Sequence, residues 1–309
     1  MRFAVFGAGG VGAYYGARLV EAGCEVSFVA RGPHLEAMQK NGLKVISPVG
    51  DVHLERLQVT DQPADIGAVD VVIIAVKSWH IAEIIPNLGP LMGESTVMLP
   101  FLNGVDAPDQ LASAFGEVSV LGGLSRIFSE IESPGVIRHL NPGAYIECGE
   151  LNGEKSRRVE ALTEIFCGAG IESKVSDNIR CALWQKLLLV GSWAGLGALS
   201  QSSLGVVCDQ SELRSLVDQA MDEGIAVGRA LGYPLPADLK QQMWDFYHGV
   251  PHDTTASMMR DILAGRPSEL DAWNGAIVRF GEKVGVPTPV HKFTYHVLLP
   301  MERRAREQL

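Results

Sequence analysis

Apolar residues fall into two textures along the chain. In the first half they come in short dense runs separated by amphipathic stretches. Phe3 to Phe6 ends at Gly7, Glu25 to Ala30 (EVSFVA) follows, and Val69 to Val76 (VDVVIIAV) is the strongest. Thr96 to Leu99 and Val118 to Leu121 complete the series. Short apolar, β-branched runs bounded by glycine mark strands buried on both faces. Residues 11–22, and segments between the later runs, carry small and apolar residues at helical spacing. Strand–helix–strand alternation predicts an α/β fold, a parallel sheet with helices on both faces.

From about residue 177 the strand-like runs stop. Asn178 to Leu199, Glu212 to Leu231, Leu239 to Phe246, Thr254 to Ala264 and Glu269 to Val284 all read as helices. The expected organisation is a parallel-sheet domain over residues 1–176 and an all-helical domain over residues 177–309. The charged tail from Glu302 reads as a frayed helix end.

Composition narrows the class. A chain of 309 residues fits two ordinary domains. At 47% hydrophobic and 20% charged it is neither disordered nor fibrous. A net charge of −10 argues against a nucleic-acid partner and against an anionic membrane surface. Five cysteines without a CxxC pair form neither a disulfide framework nor a zinc site, and read as buried thiols in a reducing compartment. His248 and His252 are four apart, but Pro251 breaks the helix a metal pair would need, so no metal is expected. No secretory signal stands out, and the apolar run around Leu187 to Leu199 is too short for a bilayer. The expectation is a soluble, cytoplasmic protein.

Candidate chemistry begins at Gly7-Ala8-Gly9-Gly10-Val11-Gly12, a G-x-G-x-x-G turn that follows a strand and opens a helix. Gly7 permits the tight turn, Gly9 admits a pyrophosphate against the backbone, and Gly12 lets helix and strand pack closely. The helix N-terminus offers N–H groups and partial positive charge to the phosphates. This is the dinucleotide-binding turn of a Rossmann-type domain. At the tip of the second strand, where an NAD site usually has a carboxylate, stands Arg31. A guanidinium there favours a 2′-phosphate, hence NADPH/NADP+. Lys77 ends the strongest strand, where ligands of open α/β sheets bind. Asn103-Gly104 follows the next strand, and by itself is more often a plain turn.

In the second half, Lys186 edges a strongly apolar helix. It reads equally as a snorkelling lysine and as a desolvated one able to donate a proton. Ser257 and Asp261 share a helix face at i,i+4, Gly265 ends that helix, and Glu269 starts another.

Together these residues resemble the ketopantoate reductase (2-dehydropantoate 2-reductase) family. The resemblance runs nearly end to end. It takes in the glycine turn, Arg31, Val76-Lys77, Leu102-Asn103-Gly104 and Pro134-Gly135-Val136-Ile137-Arg138. It continues through Trp184-Gln185-Lys186-Leu187, Ser257-Met258, Asp261, Gly265-Arg266, Glu269 and Gly285-Val286-Pro287-Thr288-Pro289. It implies an NADPH-dependent reductase of a small 2-oxo acid, with 2-dehydropantoate as lead substrate in pantothenate biosynthesis. It further implies that Gly7, Gly9, Gly10, Val11 and Gly12 hold the pyrophosphate and Arg31 the 2′-phosphate. Lys77 and Asn103 line the cofactor and substrate site, and Lys186 is the general acid. Glu269 orients the substrate, and Ser257 with Asp261 binds it.

One departure stands out. The family carries asparagines four and eight residues after the catalytic lysine, where this chain has Val190 and Ala194. A pocket without two amides discriminates against a substrate that needs them, which favours a more apolar 2-oxo acid. Trp193 on the neighbouring face could reshape the pocket further. Two rivals remain: a dehydrogenase of the same architecture acting on a 3-hydroxy acid or a polyol phosphate, and a non-catalytic NADP sensor. The phosphate version of the first wants extra Arg or Lys in the helical half, where few lie near Lys186, and the second needs neither Lys186 nor Glu269. The apolar helical half could supply a homodimer face.

Overall fold

The structure, a computed structural model, describes residues 1–308. Within them the chain divides into two compact units. One comprises Met1–Leu102 with Ala107–Ile179, the other Asn103–Asp106 with Arg180 onward.

The first unit runs β1 (Arg2–Phe6), α1 (Gly10–Glu21), β2 (Glu25–Val29), α2 (Gly32–Asn41), β3 (Leu43–Ile46), β4 (Val52–Leu54) and β5 (Gln58–Thr60). It goes on through β6 (Val71–Ile74), α3 (Ile81–Leu88), β7 (Val97–Pro100), α4 (Ala107–Phe115), β8 (Leu121–Arg126) and β9 (Ser129–Ser133). It ends with β10 (Val136–His139), β11 (Tyr145–Glu150), α5 (Arg157–Gly168) and β12 (Glu172–Val175). Five strands form a wholly parallel sheet in the order β5-β2-β1-β6-β7. All of β6 and β7, and β1 beyond its first residue, are buried, so their sequences are continuous apolar runs rather than alternating ones. Helix α1 lies close against this sheet because its inward positions are small. A Cβ on Gly12 would overlap the Gly7 carbonyl oxygen, and one on Gly16 the Phe28 ring.

Two smaller sheets escape the sequence pattern. Strands β4-β3-β10-β9 and β12-β11-β8 each mix parallel and antiparallel pairs. The expected strand from Val118 to Leu121 is a correction. Residues Glu117–Ser119 form a 3-10 turn with Val118 exposed, and the strand begins at Leu121. Apolarity at Val118 belongs to the surface and not to a ladder.

The second unit is helical: α6 (Ile179–Ser200), α7 (Leu204–Asp209), α8 (Ser211–Ala230), α9 (Leu239–Gly249), α10 (Ser257–Leu263), α11 (Ala276–Val284) and α12 (Pro289–Ala305). Its core gathers Trp184, Leu188, Trp193, Met221, Met258 and Trp273. Helix α10 starts later than the pattern predicts, because Thr254 closes a turn onto the Pro251 carbonyl and Ala256 is extended. Gly265, at φ +66, ends that segment. A π-helical turn, Asp271–Gly275, precedes α11.

The tail is the second correction. Helix α12 reaches Ala305, and Glu302 is buried. The Glu302 carboxylate accepts the Ser268 backbone N–H (3.0 Å) and hydroxyl (2.5 Å), and pairs with Arg306 Nε (2.5 Å). Arg306 also donates to the Ser268 carbonyl (3.0 Å). What reads as a frayed end is a clamp on an internal segment. The cysteines differ too: Cys148, Cys181 and Cys208 are buried, Cys24 is half-buried and Cys167 is exposed, all free. Burial pushes the Cys148 thiol up to about 11. No described helix is long and apolar enough to cross a membrane.

Candidate functional site

The glycine turn sits where β1 meets α1. Gly7 adopts φ +99, and its N–H and that of Ala8 bond the Val29 carbonyl (both 3.1 Å). The turn is thereby tied to the end of β2. Gly9, in extended conformation, precedes the first residue of α1, and the helix begins with no side-chain cap and no acid in its first turn. The first intrahelical donor is Ala13, bonded to the Gly9 carbonyl (2.9 Å), so the amides of Gly10, Val11 and Gly12 have no acceptor within the helix. The four glycines separate cleanly. A Cβ on Gly7, Gly10 or Gly12 would meet protein atoms within 3 Å, whereas one on Gly9 meets nothing within 4 Å. Gly9 therefore borders open space at an uncapped helix N-terminus, and a pyrophosphate fits that cradle.

Neighbouring strands bring other groups to the same edge of the sheet. Arg31 lies two residues past the end of β2, at the start of α2. Its guanidinium reaches His80 Nε2 (3.3 Å) and Glu83 Oε1 (3.5 Å). Lys77 lies after β6, opens the 3-10 turn Ser78–His80, and stands over the Trp79 ring at 5.7 Å.

In the helical unit three expected residues converge although distant in sequence. Lys186 Nζ donates to Asn103 Oδ1 (3.0 Å), and Asn103 Nδ2 donates to Glu269 Oε2 (2.9 Å). Ammonium and carboxylate thus face opposite ends of one amide. Only one amide orientation satisfies both, since its oxygen must meet the cation and its NH₂ the anion. Lys186 belongs to α6. Glu269 is buried, one residue past the clamped Ser268 and just before the π turn. Such turns recur at functional sites because the extra residue re-aims what surrounds it.

The short segment bearing Asn103 is fastened at three further points. A Cβ on Gly104 would lie 3.1 Å from the Ala272 carbonyl oxygen, so the segment runs tight against the π turn. Val105 packs on the helical core. Asp106 pairs with Arg279 (2.9 Å), whose other amino group meets Asp271 (2.8 Å). Within the π turn, Asn274 Nδ2 donates to the Gly191 carbonyl of α6 (3.2 Å) and to His291 Nδ1 (3.1 Å).

The remaining expected residues are placed differently. Ser257 is the half-buried first residue of α10. Asp261 Oδ1 accepts from Arg266 Nε (3.1 Å) and Nη2 (2.8 Å), which ties the end of α10 to the loop beyond it. Val190 is half-buried, while Ala194 and Trp193 lie in the helical core. Trp193 therefore acts as a packing residue. Asp106, Arg279, Asn274, Glu302, His80 and Glu83 carry no signal in the sequence, for each matters through partners that only the tertiary fold brings to it. No group of three or more His, Cys, Asp or Glu positioned to hold a metal occurs among the described residues.

Comparison with known proteins extends this picture. Residues 3–153 match the family model described as ketopantoate reductase PanE/ApbA, and residues 178–302 the model of its C-terminal part. The oxidoreductase YkpB of Bacillus subtilis is 32% identical, across 96% of this chain and 97% of its own. The 2-dehydropantoate 2-reductase of Mesorhizobium japonicum is also 32% identical, across 98% of this chain and 97% of its own. The crystal structure of a 2-dehydropantoate 2-reductase from Geobacter metallireducens superposes with a TM-score of 0.91 at 30% identity, across 97% of this chain and 99% of that one.

Proposed function

This chain belongs to the ketopantoate reductase family, and from that premise we propose that it reduces a 2-oxo acid to the 2-hydroxy acid with NADPH. Membership makes it an oxidoreductase acting on CH–OH groups of a small molecule with a pyridine nucleotide. The lead substrate is 2-dehydropantoate, whose reduction gives pantoate for pantothenate biosynthesis. The observation that carries the proposal is the Lys186–Asn103–Glu269 relay.

Gly9, Gly10, Val11 and Gly12 hold the pyrophosphate in this reading, Arg31 the 2′-phosphate, and Lys77 contacts the cofactor. When bound, the reduced nicotinamide supplies the hydride for the carbonyl carbon. The residues of the chain handle the charge that follows. Negative charge grows on the carbonyl oxygen, and Lys186 stabilises it and delivers a proton. Asn103 fixes the ammonium through its side-chain oxygen. Glu269 fixes Asn103 in turn, so the donor is aimed before substrate arrives. Ser257 supplies a hydroxyl for the substrate carboxylate, and Asp261 acts from the next turn of its helix.

Absorbance-monitored NADPH oxidation against a panel of 2-oxo acids that includes 2-dehydropantoate tests this reading. Turnover of at least one panel member supports it. Silence across the panel overturns it in favour of a nucleotide sensor. Lys186→Ala is expected to retain NADPH binding and to lose about 10²–10⁴-fold in kcat. NADH matching NADPH in kcat/KM would overturn the cofactor preference.

A second reading of the substrate is favoured by one observation. Val190, one turn beyond Lys186 on α6, is half-buried and apolar where the resemblance expects an amide. A 2-oxo acid with an apolar side chain would then outperform 2-dehydropantoate in the same panel.

A further inference from the structure

The parallel sheet brings three chain segments to one edge. The glycine turn follows β1, Arg31 follows β2, and His80 follows β6, and these strands are neighbours in the order β2-β1-β6. Three charged or titratable side chains meet there. Arg31 Nη2 lies 3.3 Å from His80 Nε2, and His80 Nδ1 lies 2.7 Å from Glu83 Oε2. Glu83 Oε1 lies 3.5 Å from Arg31 Nη1. A guanidinium only donates, so His80 Nε2 accepts and its ring proton sits on Nδ1, donated to Glu83. The imidazole links the guanidinium to the carboxylate. Glu83 is ionised at neutral pH: its hydrogen bond to His80, and then the nearby charges, hold its carboxyl below the usual range.

We propose that Glu83 is a cofactor-discriminating residue, one that limits the preference for a 2′-phosphorylated dinucleotide that Arg31 creates. The inference rests on the reading of this chain as a nicotinamide-dependent reductase. A 2′-phosphate drawn to Arg31 must displace the long 3.5 Å contact to Glu83 and then share the site with its carboxylate. Both carry negative charge a few ångströms apart, which weakens binding of the phosphate. An unphosphorylated ribose meets the opposite situation. Its 2′-hydroxyl can donate to a carboxylate, the role that an acid at a strand tip plays in NAD sites. The displacement is easy because Arg31 and Glu83 are 73% and 59% exposed, and exposed pairs are weak. His80, at 26% exposure, is the more fixed member. Once Arg31 turns to a phosphate, His80 Nε2 is left facing the same anion.

Direct titration of NADPH and NADH into the purified chain, followed by calorimetry, reads this without any 2-oxo acid. Glu83→Gln keeps the shape and removes the charge. It is expected to tighten NADPH by about three- to tenfold at low salt and to leave NADH unimproved. Glu164→Gln, the same charge change at an exposed position on α5, is expected to alter neither affinity. A Glu83→Gln protein in which NADPH fails to tighten, or in which both nucleotides tighten alike, overturns the inference and leaves the proposed function standing. A wild-type chain that binds neither nucleotide overturns both.

Discussion

Gly9 and Gly12 belong to one motif but do different work, and the structure separates them. Alanine at Gly12 overlaps the Gly7 carbonyl oxygen, a backbone atom that cannot move aside. The expected cost is about 1–3 kcal/mol or more, read as a fall in denaturation midpoint. Alanine at Gly9 meets only open space. Its stability should match wild type while NADPH affinity falls, which calorimetry separates from any unfolding. The motif assigns the two glycines different tasks, and the atoms that face each one agree with that division. Val190 and Ala194, where the resemblance implies amides, also divide at this scale. Val190→Asn at a half-buried position is expected to raise kcat/KM for 2-dehydropantoate relative to apolar 2-oxo acids. Ala194→Asn would bury an amide in an apolar core, where Ala194 has no exposed surface. It should cost stability of about 1–3 kcal/mol and give no gain in substrate range.

Elements show where periodicity speaks and where it is silent. The strands β1, β6 and β7 and the helices α6 and α8 are legible, because burial on two faces of a strand, nearly all round α6 and along one stripe of α8 writes itself into the apolar pattern. Helix α12 was not, since its charged end is held by one carboxylate. Glu302→Ala takes the carboxylate away from the Ser268 donors and from Arg306 Nε, and should cost about 3–5 kcal/mol in chemical denaturation. A second buried polar link joins α8, α12 and the π turn. His291 donates Nε2–H to the Ala220 carbonyl (2.9 Å) and accepts from Asn274, and burial lowers its pKa to about 4. The folded chain therefore keeps this ring neutral. Between pH 6.5 and about 4 the unfolded chain binds a proton that the folded one refuses, so stability falls as pH drops through that window. The contribution is about 3 kcal/mol. Burial lowers His34 and His139 in the same direction, whereas Glu223 is raised and opposes them. The difference in pH slope between wild type and His291→Gln isolates the buried ring.

At the scale of the whole chain, the two textures of the sequence correspond to two units, but the division is not a single cut. Residues Asn103–Asp106 sit with the helices although strand β7 precedes them and α4 follows them in the other unit. Nothing in an Asn-Gly dipeptide announces this. The bonds that reveal it span 83 and 166 residues. A fragment beginning at Arg180 lacks Val105, the Asp106–Arg279 pair and the amide of the relay. It should unfold at lower denaturant than the same helices in the full chain, as helical ellipticity would report. The discontinuity also has a bearing on biogenesis. Asn103 is synthesised first, Lys186 much later and Glu269 later still, so the bridge precedes both of the groups it joins. A nascent chain cannot close the relay until most of its length has emerged, and a product truncated before Glu269 carries the Lys186–Asn103 bond with no carboxylate behind it. The complete relay is thus a property of finished molecules alone.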